Sequence, residues 1–163
     1  MNYLNFDLEK AKDTSKELNI LLADYHLYYQ KLRNYHWNVV GFAFFDLHEK
    51  FEELYDDAVL KIDEIAERIL TLRYQPASNY SDYLEISNIK ETASGLTDVE
   101  MVNNLLEDHG HILKQMSKVI EVADKADDEG TIDLIGAYIR ELETVSWMLD
   151  AWRMKTEEKR SAL

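Results

Sequence analysis

With one proline, Pro76, and five glycines in 163 residues, this chain has few places where a helix must stop. No stretch of useful length alternates apolar and polar residues as a half-buried strand would, so the pattern predicts long helices. The first runs from about Asp7 to about Val39, where Leu18, Leu22, Tyr25, Tyr29 and Leu32 step by four and three and His36 is the next rung. Gly41 punctuates the chain, and a second helix runs from about Phe44 to about Tyr74. Its seam is Phe51, Tyr55, Ala58, Ile62, Ile65, Ile69 and Leu72, with the Tyr55 hydroxyl expected at the edge.

Residues 75–94 interrupt the pattern with Pro76 and several Ser and Asn. They read as a crossover with one short helix near Ser81–Leu84. Thr97 and Glu100 form a capping-box signature for a third long helix. Its stripe is Val102, Leu105, His109, Ile112, Met116, Val119 and Ala123. Asp127, Asp128, Glu129 and Gly130 suggest the next turn, and a fourth helix starts near Thr131 with Asp133 in its first turn. Ile135, Ile139, Leu142, Leu149 and Trp152 form its apolar face. Four helices, two tight connections and one long crossover predict an all-α, ferritin-like four-helix bundle rather than an up-down-up-down one, with residues 1–163 as a single domain.

Hydrophobic residues make up 46% of the chain, enough for a core. No apolar run approaches the roughly 20 residues that cross a bilayer, and the N-terminus lacks a secretory-signal pattern. The expected address is the cytoplasm. With no cysteine, thiolate metal sites and disulfides are excluded. The net charge of −14 reads either as plain solubility or as a surface that concentrates cations, and both disfavour a general nucleic-acid face.

Against that background one stripe carries chemistry. His48 and Glu52 are four apart on the second helix, as are Asp63 and Glu67. Eleven residues separate Glu52 from Asp63, three helical turns to within about 20°, so all four side chains share a face. Eleven residues also span about 16 Å of helix, whereas a ligand atom sits about 2 Å from its metal. One helix cannot close the site. A second, antiparallel copy can, because a two-fold axis between Asp57 and Ala58 lays one pair opposite the other. His36 and His48 are equidistant in sequence from Phe42, so a hairpin of the first two helices could let them face each other. One subunit would then offer His36, His48 and Glu52, and its partner Asp63 and Glu67. Imidazole and carboxylate without sulfur suit Fe, Mn, Co or Zn.

The plainer readings are exposed helix pairs for the four-spaced couples and a satisfied core histidine for His36. A closed zinc site is a further competitor. His109, on an apolar stripe, reads as a packed core residue. Asp108 and His111 read as solvent-facing, and His26 has no ligand-type partner at helical spacing.

The run His36, Trp37, Asn38, Gly41, Phe45, Leu47, His48, Phe51, Asp63, Glu64, Ala66, Glu67 and Arg68 resembles the signature of the Dps family of mini-ferritins. The likeness extends over nearly the whole chain. It implies a ferroxidase centre between two-fold-related subunits with His36, His48, Asp63 and Glu67 among its ligands. Glu52 departs from the usual aspartate, and the extra methylene moves its carboxylate by on the order of 1.5 Å. The resemblance further implies a hollow dodecamer that oxidises Fe(II), often with hydrogen peroxide, and stores the ferric mineral. It places Asp124, Asp127, Asp128 and Asp133 near three-fold pores, where an acidic turn and helix start is the plainer reading. It makes Trp37 an electron donor beside the site, against plain packing. Some members bind DNA through a lysine-rich tail. Here Lys10, Lys12 and Lys16 are offset by Asp7, Glu9 and Asp13, and the end RMKTEEKRSAL is only mildly basic, so DNA is not an expected partner. The main alternative function is a DNA-protecting, nucleoid-type protein with an incidental metal site.

Overall fold

A computed structural model describes residue 7 and residues 9–161, with side chains up to residue 154. The side chains of the mildly basic end after Met154 lie outside the described residues. Among the described residues there are five helices and no strand: α1 Ala11–Asn38, α2 Phe44–Thr71, α3 Tyr80–Ile86, α4 Asp98–Lys125 and α5 Glu129–Ser161.

Side-chain pairings set the direction of each helix. Tyr29 meets Tyr55, Tyr35 meets Phe51 and His36 meets His48, so α1 and α2 are antiparallel. Glu17 pairs with Gln115, Tyr28 with His109, Lys31 with Asp108 and Tyr35 with Asn104, so α1 and α4 are also antiparallel. His109 with Ser146 and Asn103 with Arg153 set α5 against α4. The order is therefore up, down, down, up, because the crossover carries the chain back along the bundle before α4 begins. That is the ferritin-like connection expected from the sequence.

Local chemistry explains the boundaries. Leu18, Leu22, Tyr25 and Leu32 of α1 are buried, as are Phe51, Ala58, Ile65, Ile69 and Leu72 of the second seam and the whole α4 stripe. Tyr29, Tyr55 and Ile62 are partly buried. The capping box forms: Glu100 N donates to Thr97 Oγ1, and Thr97 N donates to the Glu100 carboxylate. The second helix ends at Thr71, before the expected Tyr74, because Arg73 takes a left-handed φ of 69°. The first begins at Ala11 rather than Asp7. The last begins at Glu129, two residues early, because Asp128 accepts from the Thr131 amide and hydroxyl at 3.1 and 2.6 Å and so satisfies a first-turn donor.

Polar side chains of α1 pin the crossover. Fully buried Asp24 accepts from Ser87 Oγ (2.8 Å), the Asn88 amide (2.6 Å) and Asn88 Nδ2 (3.0 Å). Asn19 Oδ1 accepts from the Ala77 amide at 2.6 Å. His26 stacks on Tyr83 of α3 with ring centroids 3.9 Å apart.

Candidate metal centre

The α1–α2 hairpin brings the two histidines together, near the end of α1 and the start of α2. Their rings stack with centroids 3.7 Å apart and planes 20° from parallel. Phe44 stacks on the far side of His48 at 4.8 Å, and Tyr55 meets His36 edge-on at 5.4 Å. The backbone fixes both rings reciprocally. His36 Nδ1 lies 2.8 Å from the His48 carbonyl, and His48 Nδ1 lies 2.9 Å from the His36 carbonyl. A carbonyl oxygen can only accept, so each Nδ1 carries its proton and donates it. Nε2 is left on each ring as the atom available to a metal.

Glu52 stands one turn along α2 from His48. One ligand atom from each of His36, His48 and Glu52 lies within 4.8 Å of the others, the only such group of three or more potential ligands found among the described residues. This spacing suits one metal ion or one end of a two-metal cluster. The histidines are partly buried and Glu52 is exposed, so the group opens to solvent on one side.

Asp63 and Glu67 do not join this group. Both are exposed, three turns farther along α2 on the same face. That face also carries Val59, Leu60 and Leu70, which are 43%, 65% and 56% exposed. Trp37 lies outside the group, 59% exposed, with the Arg33 guanidinium 4.7 Å above its ring.

The acidic residues near the α4–α5 turn separate by environment. Asp124 and Asp133 are exposed, and Asp127 reaches Lys10 at 3.7 Å. Asp128 is 2% exposed, ion-paired with Arg68 and bonded to Thr131. Its carboxylate is held by the helix start and by Arg68. Gly130 makes room for this pair, because a Cβ there would lie 3.1 Å from the Arg68 guanidinium.

Two other expectations are settled by packing. His109 is a core residue: it is 1% exposed, accepts from the Tyr28 hydroxyl at Nε2 (2.8 Å) and meets Ser146 Oγ at Nδ1 (2.8 Å). Burial pushes its pKa down to about 4. Asp108, expected in solvent, is instead buried against Lys31 at 2.6 Å, while His111 is exposed. Burial raises the Asp108 carboxyl, opposed by the Lys31 ammonium.

An α1–α2 hairpin antiparallel to an α4–α5 hairpin, with histidine and carboxylate at its surface, defines a ferritin-like bundle. Residues 15–158 match the ferritin-like domain. The chain is 45% identical over 141 residues to DNA protection during starvation protein 2 of Bacillus anthracis, covering 86% of this chain and 97% of that protein. Its fold superposes with a TM-score of 0.90 and 42% identity on the Dps protein of Vibrio cholerae O1, described as a member of a broad superfamily of ferritin-like diiron-carboxylate proteins, covering 93% and 96% of the two chains. The Dps protein of Bacillus brevis gives 0.86 and 40%, covering 88% and 97%. The chain belongs to the Dps family.

Proposed function

We propose that this protein is a ferroxidase and iron store whose centre is assembled across a two-fold dimer. His36, His48 and Glu52 of one protomer bind Fe(II) together with Asp63 and Glu67 of its partner. The observation that carries this reading is the split of the ligand stripe: three donors converge, while two carboxylates remain exposed on the same face of α2 beside Val59, Leu60 and Leu70. An exposed apolar patch beside half a metal site is what a second copy would cover. Membership of a diiron-carboxylate superfamily supports iron as the metal.

The residues supply the chemistry as follows. The two Nε2 atoms and the carboxylates replace water around Fe(II), and the negative charge of the carboxylates stabilises Fe(III) more than Fe(II), which favours oxidation. Two ferrous ions release one electron each. Hydrogen peroxide takes both electrons with two protons and leaves as two waters. The ferric product is stored in a hollow shell of twelve chains. Exposed Asp124 and Asp133, with Asp127, line the entry pores, and the net charge of −14 per chain draws the cation inward. Trp37 stands near the centre as a spare electron donor.

Peroxide-dependent Fe(II) oxidation, measured beside particle mass by light scattering, tests this reading. Rapid oxidation by a multimeric particle is expected. A monomeric particle, or oxidation no faster than in buffer, overturns it.

The names of relatives such as the Bacillus anthracis protein favour a second reading, DNA protection by direct binding. The acidic chain argues against phosphate contacts. Plasmid retarded in a gel shift at low salt would favour this second reading, and free plasmid would count against it.

A further inference from the structure

Two other aromatic rings touch the histidine pair among the described residues. Phe44 stacks on His48, and Tyr55 meets the His36 imidazole edge-on, with centroids 5.4 Å apart and planes at 88°. Of these two side chains, only the phenol gives up an electron readily. Behind Tyr55 stands Tyr29, also edge-on, at 6.1 Å and 83°.

Trp37 is placed otherwise. It follows His36 in the chain, yet its side chain lines a groove of about 600 Å³ with Leu27, Asn34 and Tyr80. Among the described residues it makes no ring contact with either histidine. The Arg33 guanidinium lies 4.7 Å from its ring centre. An indole that loses an electron carries a positive charge until it also loses a proton, and a guanidinium so close opposes that charge. Arg33 lies 5.2 Å from the Tyr29 ring centre as well. No cation lies over the Tyr55 ring among the described residues. A phenol sheds its proton as it loses an electron, so its radical is neutral and needs no counter-charge. Tyr55 is half-buried, so the ring is held while part of the side chain still meets solvent.

We propose that Tyr55 is an electron donor of the centre, supplying the second electron that peroxide needs when only one Fe(II) is bound. This rests on the reading of His36, His48 and Glu52 as ligands of substrate Fe(II). In such a half-loaded centre one Fe(II) becomes Fe(III) and Tyr55 becomes a neutral phenoxyl radical. The O–O bond of hydrogen peroxide breaks. Its two oxygens take the two electrons, the phenol proton and one solvent proton, and two waters form. A second Fe(II) then returns one electron to the radical, and a solvent proton restores the phenol. The sum is two Fe(II) oxidised per peroxide, with no hydroxyl radical released. Trp37 is left in reserve.

Rapid-freeze electron paramagnetic resonance of the assembled protein tests the proposal. Cobalt(II) titration, followed by visible absorption, first fixes the protein concentration at which each variant binds one metal per centre completely. One Fe(II) per centre is then added anaerobically, one equivalent of hydrogen peroxide follows, and the sample is frozen within milliseconds. Wild type is expected to show an organic radical whose hyperfine splitting collapses when the protein is made with ring-deuterated tyrosine. Tyr55→Phe keeps a ring against His36 and removes the oxidisable hydroxyl. The radical should fall to background and spin-trapped hydroxyl radical should rise severalfold, with particle mass unchanged. Tyr29→Phe should keep the signal. A tyrosyl signal that survives Tyr55→Phe overturns the donor role, as does an indole signal lost in Trp37→Phe, or no radical in wild type. His36→Ala separates the two levels of the argument. A wild-type radical yield in His36→Ala means that the ligand assignment itself fails. Loss of the radical in His36→Ala with survival in Tyr55→Phe means that only the donor role fails.

Discussion

Histidine is used in two opposite ways within this bundle, although both uses begin with the same hydrogen bond. In the core, His109 faces Ser146 through Nδ1 and the Tyr28 hydroxyl through Nε2. Ser146 donates to the Leu142 carbonyl at 2.6 Å, so Nδ1–H donates to Ser146 and Nε2 accepts from Tyr28. Every polar atom of that ring is satisfied and nothing remains for a ligand. At the end of the α1–α2 hairpin, His36 and His48 also donate through Nδ1, here to each other's carbonyls, but among the described residues neither Nε2 has a hydrogen-bond partner. The difference teaches that burial and hydrogen-bond closure, not residue type, decide whether a histidine stabilises a fold or offers a lone pair.

The largest expected effect breaks the open site. His36→Ala combined with Asp63→Ala should slow peroxide-dependent Fe(II) oxidation by about 100-fold or more, in stopped-flow absorbance, since a donor is lost from each half. Light scattering should show the particle intact. Unchanged kinetics would reject the assigned centre.

The closed site should respond in the reverse sense. His109→Ala leaves a cavity and orphans the Tyr28 hydroxyl, which should cost about 3 kcal/mol of stability in denaturant unfolding. Oxidation per folded particle should be retained. A variant as stable as wild type would mean that the network contributes little.

Acid sharpens the contrast further. The folded pKa of His109, about 4, lies below the ordinary 6.5, so the unfolded chain binds a proton first as pH falls. The stability that the neutral ring contributes is complete above pH 6.5 and is lost progressively down to about pH 4, about 3 kcal/mol in all. His109→Gln should flatten this part of the curve in thermal melts taken across that range. Burial raises the carboxyls of Asp24 and Asp108, which work in the opposite sense but are present in both proteins. Parallel curves for wild type and variant would contradict a buried neutral ring.

The smallest effect is expected from Tyr28→Phe, which removes one donor and leaves His109 Nε2 unpaired, at about 1–2 kcal/mol by chemical denaturation. It should leave metal binding at the hairpin unchanged. A shift in Co(II) affinity would show that the two histidine regions are coupled through α1.

Much of this was legible in the chain. The apolar stripes of all four long helices, the Thr97–Glu100 capping box and the short helix in the crossover all follow from neighbours three and four residues apart. The facing of His36 and His48 was legible because their equal distances from Phe42 describe a hairpin. Asp108 was misread because its partner, Lys31, is 77 positions away and no local spacing marks it. Asp24 and Asp128 were hidden for the same reason, their partners lying on the crossover and at the end of α2.

What the sequence determined alone was angular: which residues share a face, where helices can stop, and that the ligand pairs of α2 lie too far apart for one metal. Those quantities depend on covalent geometry repeated along a helix. Only the tertiary structure decided which polar atoms are consumed and which are left over, separating Asp128 from Asp133 and His109 from His36. A hydrogen bond needs two groups at one place, and packing alone brings together groups that are distant in the chain.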